Sequence, residues 1–577
     1  VAISKGEQEL LAYLNKLYDE GTKARDKWSK NWKHSIDVIR GKTWPDKRPK
    51  YKIDAVMNFL GQIVEKKTAM LTDSRPTFDI VSRKKGLDDV CAMLKKVNEG
   101  IDEERSWEQK LTEFVMLEQH FGMAYTNTCF DPSLDWGHGD IDIVVLDPRT
   151  CVFDPFVMRT YNLNNGEYFC LDTVRPTDYL KDRWKERADD IQADFGTSSQ
   201  VKEDSVWAKL RQLFGGRGDS EPSVTSVIPR SFVRDYWVRD RKTEEKDGLK
   251  YPNWREVLVA GGCIVEDGGN RYLDGNLPFD AMEWDFNVDS AYGFNEVSKL
   301  EMPQVMFNKV MATIIENAIL MGNGIWIGDQ DALPETDWDK LSNEPGSYVR
   351  KRIGRELRRE PAPSLPAYVP NVLMQILTGL EKLSSITEAT EGRRPGQVTS
   401  GAAIESLQIA ASTAIRLKAR QIESLQQRIG QKRISRIFQY YTEDRMFNLL
   451  GDDGKFQQYV WERQKIRESL DKAGIKITQA FQDFRYKVVP TSSLAITRWQ
   501  KGLIAMQLLQ AGVLDGEEVL KTIEWPNWED VYKRTNEKQQ MGVEGPPRRP
   551  SKLSKQMLRG GGSGRGEMGM QQPQIGK

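Results

Sequence analysis

From Ser400 to about Phe447 the chain keeps a helical pattern without a strong break. At 1.5 Å of rise per residue, this spacing predicts a helix on the order of 70 Å long. A self-contained globular core rarely needs such a helix, because most helices run only three or four turns. Ala402, Ala403, Ala410, Ala411 and Ala414 give it small faces suited to close packing against neighbours.

The segments before it follow a distinctive order. Glu296 to Leu320 reads as a long helix, stopped by Gly322, Asn323 and Gly324. Residues 325–366 form a compact Pro- and Gly-rich module with a basic run: Arg350, Lys351, Arg352, Arg355, Arg358 and Arg359. Tyr368 to Ala389 is a second helix. A loop from Glu391 to Gln397, containing Gly392, Pro395 and Gly396, separates it from the long helix.

The N-terminal half mixes both periods. Helices are expected over 7–40, 53–72 and 176–195, with two more across 87–122 interrupted around Gly100. Strands are expected at 140–146, 151–153, 168–171, 232–238 and 254–260, with a tight turn at Asp267 to Asn270. A Gly-, Ser- and charge-rich surface insertion occupies about 197–230. Residues 456–490 mix helix and strand, and 498–540 read as helical. The tail from 541 to 577 is Gly-, Pro- and Arg-rich, a composition associated with disorder. The fold class is α+β, mainly helical.

Charge and motifs narrow the function. Lys and Arg number 84, and so do Asp and Glu, so no bulk field favours nucleic acid. DNA contact would have to be local. No run approaches the roughly 18 apolar residues that span a bilayer, so no membrane partner is expected. The five cysteines form no CxxC pair. There is no GxxxxGK[ST] phosphate loop and no HExxH. Asp135, Asp140, Asp142, Asp147 and Asp154 could be the carboxylates of a metal-dependent nuclease, but they fit a solvated strand face and Asp-Pro turns better. Neither a catalytic residue, a metal nor a cofactor is expected.

Several segments together resemble the portal proteins, or head-to-tail connectors, of tailed bacteriophages. Arg75 to Ile80 is similar to that family's early xPxFxV segment. Val145 to Pro155 is similar to L-x-P-x-x-V-x-x-D-P. Phe232 to Val265 followed by Asn276 to Phe279, the stretch Gly293 to Val297 with Gln304 and Asn308, and Gly392 to Ile404 each match further family features. Each motif is weak alone; their order and spacing are specific, and they span about 53–445.

The resemblance implies a subunit with wing, stem, clip and crown. The wing would be 1–290 plus 402–500, which includes the spine helix. Stem helices would be 291–320 and 367–390, the clip 321–366, the tunnel loop 391–401 and the crown 501–540. It implies a homo-oligomeric ring, dodecameric in the family, at one vertex of the viral capsid in the virion, assembled in the host cytoplasm. Its partners would be double-stranded DNA in the channel, the terminase, the head-to-tail adaptor and the major capsid protein. Its roles would be DNA packaging and viral genome ejection, without enzyme activity. Arg393, Arg394 and Gln397 of the tunnel loop would lie nearest DNA. The basic run would be a docking surface, and Ile325, Trp326, Ile327, Trp338 and Val349 would pack the clip against its neighbour. The alternatives are another virion structural protein, which would form no ring with a central hole, or the nuclease, which would cleave plasmid DNA when given metal.

Overall fold

The computed structural model describes residues 5–45, 49, 52–73, 76–194, 228–239, 254–322, 325–334, 350–360, 364–386, 413–450, 456–488 and parts of 502–522. The chain divides into two compact units, Val1–Leu449 with Phe456–Arg498, and Leu450–Lys455 with Trp499–Lys577. In the second unit the described helix is Gly516–Thr522, with Val519 buried.

In the first unit, helix α1 (Lys5–Ile39) buries one stripe: Leu14, Tyr18, Gly21, Arg25, Ser29, Trp32, Ser35 and Val38. Steps of three and four keep these residues on one face of a helix. Gly21 is where the backbone comes closest to its neighbour. A Cβ there would stand 2.4 Å from Val152 Cγ1, so only glycine lets α1 lie against strand β4 (Cys151–Phe153).

Strand β4 opens an antiparallel sheet, ordered β4-β5-β6-β7-β8, with β5 (Tyr168–Pro176), β6 (Arg230–Arg239), β7 (Trp254–Ala260) and β8 (Cys263–Gly269). The β7–β8 turn is Gly261-Gly262, both at positive φ (55° and 85°), as a two-residue hairpin requires. The turn expected at Asp267 to Asn270 is displaced, because Gly268 and Gly269 still pair with Glu256 and Arg255. A second sheet, β3-β2-β9, holds β2 (Met123–Asp131), β3 (Asp140–Leu146) and β9 (Phe279–Glu283).

Helices α3 (Asp88–Glu104) and α4 (Trp107–Phe121) match the expected pattern, while α2 (Phe59–Thr72) begins six residues after the expected start at 53, and the α3–α4 break is displaced. It falls at Ser106, which takes φ 50°, rather than near Gly100. Gly100 lies inside α3, where the Phe447 ring would be 2.7 Å from an added Cβ. Close packing, not helix breaking, explains that glycine. Over 176–195 the expected helix shortens to α5 (Thr177–Arg183), followed by a single 3-10 turn, Lys185–Arg187.

Helix α6 (Val297–Gly322) packs along α7 (Val369–Ser384), and between them β10 (Ile325–Gly328) pairs with β11 (Leu357–Glu360). Leu380, Ile386, Val297 and Leu300 bury the base of the pair against Val38, Leu60, Ile63 and Val64. One sequence expectation is corrected here. Helix α6 is long and apolar enough to cross a membrane by length and composition, with only 17% of its most apolar stretch buried. Its base nevertheless lies in the protein core.

Helix α8 (Thr413–Tyr440) is the described part of the long helix. It ends at Tyr440, not near Phe447, which belongs to strand β12 (Arg445–Leu450). Tyr441 sits buried beyond the helix end and donates to Asp140 at 2.5 Å. Strand β12 pairs with β13 (Phe456–Trp461); helix α9 (Arg463–Lys472) and β14 (Phe484–Val488) follow, and β14 pairs with β1 (Phe78–Ser82). Gly430 of α8 packs directly on the Tyr486 ring, leaving no room for a Cβ.

Glu118 of α4 is fully buried, and neither carboxyl oxygen has a hydrogen-bond partner among the described residues. Burial pushes its pKa from the ordinary 4.5 up to about 8; Lys418 opposes the shift, while Asp285 and Glu283 add to it. The unfolded chain therefore loses this proton near pH 4.5 and the folded chain only near pH 8, so stability falls as pH rises between the two. A denaturation series should find Glu118→Gln more stable than the parent at pH 8, by on the order of a few kcal/mol. The gap should close toward pH 4.5. Parallel pH profiles for the two proteins would refute this.

Candidate docking, stem and channel segments

The α6–α7 pair is held at its base by polar side chains rather than by apolar contact alone. Gly122 closes α4 at φ 83°, and a Cβ on it would meet the Gly293 carbonyl oxygen at 2.3 Å. That approach brings the chain entering α6 against the end of α4. Asn295 then caps α6, its Oδ1 accepting from Ser298 N at 3.0 Å while its Nδ2 donates to Ser35 Oγ and to the His120 carbonyl. Glu296 accepts from Lys67 at 2.6 Å and from Trp284 Nε1 at 2.7 Å.

Further along α6, Gln304 Oε1 accepts the Phe59 and Leu60 N–H groups, two of the orphan donors at the start of α2. Its Nε2 donates to the Met57 carbonyl and to Asn308 Oδ1. Asn308 Oδ1 accepts from Met57 N, and Glu316 Oε1 accepts from Ile53 N, both at 3.1 Å. The segment 53–60 is thus stitched to α6 by three side chains. Sequence reading picked out Gln304 and Asn308 only as motif letters. Glu316 carried no signal, since its acceptor role depends on a backbone more than 250 residues away.

At the far end, Trp326 lies opposite Arg359, and Ile327 opposite Arg358. Trp326 and Ile327 are 37% and 44% exposed. The basic run does not act as one surface. Arg359 donates to the Gly322 carbonyl at 2.6 Å, capping α6, and its guanidinium stands 5.9 Å from the Trp326 ring centre. Arg358 lies 3.4 Å from Glu360, and Arg355 4.0 Å from Asp331. Arg350, Lys351 and Arg352 have exposed side chains with no ion pair among the described residues. The strand of Ile325 is described but its side chain is not. Trp338, Val349, Arg393, Arg394 and Gln397 lie outside the described residues, as do nearly all of the 197–230 insertion and the 541–577 tail.

The carboxylates considered for a nuclease are dispersed among structural tasks. Asp140 holds Arg105, Arg445 and Tyr441. Asp142 pairs with Lys110, and Asp147 with Arg149. Asp154 accepts the Phe156 and Glu167 N–H groups, both at 2.9 Å. Among the described residues no group of three or more His, Cys, Asp or Glu could hold a metal ion.

The long helix α8 is fastened by buried cations. Lys418 reaches Asp285 at 2.9 Å, Lys432 reaches Asp280 at 2.8 Å, and Arg433 reaches Asp102 at 2.7 Å; Arg428 and Arg436 pair with Asp280 and Asp274. Burial pulls the Lys432 ammonium below its ordinary pKa, although Asp280 opposes this.

No curated protein matches the chain. A family model described as Phage P22-like portal protein matches residues 15–557, which takes in α6, α7, the β10–β11 module, the whole of α8 and part of the C-terminal tail. A match over nearly the whole length makes this chain a member of the phage P22-like portal protein family, a structural rather than catalytic family of the virion.

Proposed function

We propose that this chain assembles into a dodecameric ring at one capsid vertex, through which double-stranded DNA is packaged and later ejected. In this reading the ring assembles in the host cytoplasm, seats in the shell of major capsid protein, and docks first the terminase and then the head-to-tail adaptor. The observation that carries it is the helix pair α6–α7, rooted in the first unit, bearing a small two-stranded module at its far end, in a chain of the portal family. Residues 291–320 and 367–390 are then the stem, 321–366 the clip, 391–401 the tunnel loop and 501–540 the crown, and the remainder of the first unit is the wing.

The surface chemistry supports this assignment. Met302, Met306, Ile319, Leu320 and Met321 of α6 and Met374 and Leu383 of α7 are exposed in the single chain. Neighbouring stems in a ring would cover these side chains. The channel need not be basic, because a wall dense in lysine and arginine would grip phosphates and slow transit.

The clip is too small to bury a core of its own and is completed by the next subunit. Trp326→Ser should therefore weaken ring assembly, by about 2 kcal/mol or more per interface if Trp326 anchors that contact. Size-exclusion chromatography with light scattering over a dilution series measures this; unchanged ring stability would count against the contact.

Docking then falls to the unpaired part of the basic run. Replacing Arg350, Lys351 and Arg352 with Glu should leave rings intact while abolishing capture of the terminase or adaptor, since exposed arginines suit bidentate contacts with partner carboxylates. Full capture by the triple variant would remove the assignment.

Arg393 and Arg394 of the tunnel loop would form a narrow positive collar in a chain of zero net charge. Their phosphate contacts would be weak, salt-dependent and independent of sequence. The double variant Arg393→Ala, Arg394→Ala should still form rings, but particles built on it should hold less nuclease-protected DNA. Normal DNA content would leave these arginines a purely structural role.

A further inference from the structure

The two-stranded sheet of β1 and β14 has one buried and one open face. Phe78, Ile80, Phe484 and Tyr486 point into the core. The register sets Val81 opposite Arg485 and Asp79 opposite Lys487, and Arg83 N continues the ladder by donating to the Asp483 carbonyl at 2.8 Å. Alternation along a strand therefore puts Arg485 and Lys487 on the open face, roughly 7 Å apart. Arg83 extends that row on the neighbouring strand, and Lys84 and Lys85 follow it.

These five cations outnumber the two carboxylates of the same face, Asp79 opposite Lys487 and Asp483 beside Arg83. Asp79 is engaged by Lys95 at 3.7 Å, and Asp483 stands 4.0 Å from Lys84. Asp88 and Asp89 occupy the first turn of α3, where the helix N-terminus favours negative charge. Arg83, Lys85 and Lys487 are exposed and have no ion pair among the described residues. Arg485 bonds only its own strand's backbone, through the Phe484 carbonyl. Burial and then the neighbouring Arg83 pull its guanidinium below the ordinary range, although Asp483 opposes this. In a chain whose charges cancel overall, this face carries a local excess of positive charge.

We infer that the open face of β1–β14, through Arg83, Lys85, Arg485 and Lys487, is a second contact site for the phosphate backbone of double-stranded DNA, separate from the tunnel loop. The cations lie on a shallow strand surface, with a spacing comparable to that of successive phosphates on one strand. No exposed aromatic side chain of β1 or β14 is there to read or stack on bases. Binding would thus be electrostatic and blind to sequence. An anion there would also relieve the repulsion between Arg83 and Arg485. The inference rests on the reading of the protein as a ring that handles duplex DNA.

The test uses assembled rings of the full chain and a short random-sequence DNA duplex, with binding followed by fluorescence anisotropy across a salt series. Arg83→Gln, Lys85→Gln and Lys487→Gln together should weaken binding about tenfold or more. If each cation meets one phosphate, the slope of log affinity against log salt should become shallower by about 2.7. Lys487→Gln alone should change the slope by about 0.9, and neither variant should lower ring stability. Rings that bind the duplex with the parent's affinity and slope would overturn the inference and leave the portal reading intact. So would a triple variant that loses binding to polyglutamate while keeping the duplex, because the site would then suit an acidic protein. Parent chains that form no rings would instead overturn the portal reading itself.

Discussion

The architecture of the first unit depends on cations buried along helix α8. Arg433 and Arg436 are almost completely withdrawn from water, and Lys432 nearly so. Each meets a carboxylate from a different part of the chain: Asp102 at the end of α3, Asp274 in the loop before β9, and Asp280 within β9. Taking such charges out of water costs several kcal/mol per ion, so these pairs are weak evidence for net stability. They act instead by making every other placement of the helix worse. A shift of one turn would leave several buried charges without partners at once. Gly430 against Tyr486 and the apolar residues Ile422, Leu425 and Ile429 then fill the space that the ion pairs define.

Helix α6 is tied to this framework by a different chemistry. Gln304, Asn308 and Glu316 spend their side chains on backbone groups of 53–60, and Asn295 and Glu296 lock the entry to α6. One face of α6 is therefore polar glue, although the helix as a whole is apolar enough to resemble a membrane span. Away from it, Lys299, Met302, Met306, Lys309 and Thr313 are exposed. The polar side chains give the helix a directional inward face that fixes its orientation.

Much of this order was legible because it is local. The stripe of α1, the alternation of β3 and the succession of helix, small module and helix around 321–366 all follow from repeats of 3.6 or two residues. Boundaries were less legible. Sequence reading placed a helix break near Gly100 and ran the long helix to Phe447, and one contact explains both departures: the Phe447 ring rests on Gly100. Likewise the two glycines of Asp267 to Asn270 suggested a turn, but the hairpin had already turned at Gly261-Gly262 and both glycines remained in the ladder.

What the sequence determined by itself is the α+β class, the positions of the long helices and the succession of segments that marks a portal subunit. Periodicity records these because a helix or strand repeats its environment every few residues. Only the tertiary structure decided where α8 stops, since Tyr441 is held by Asp140, 301 residues away. It also divided the six cations between Arg350 and Arg359: Arg359 caps α6, Arg358 and Arg355 approach carboxylates, and Arg350, Lys351 and Arg352 remain outward. Arg83, just past the end of β1, came beside Arg485 and Lys487 of β14 only when strands about 400 residues apart paired. A side chain's charge is written in the sequence, but its partner is set by which distant backbone the fold brings beside it.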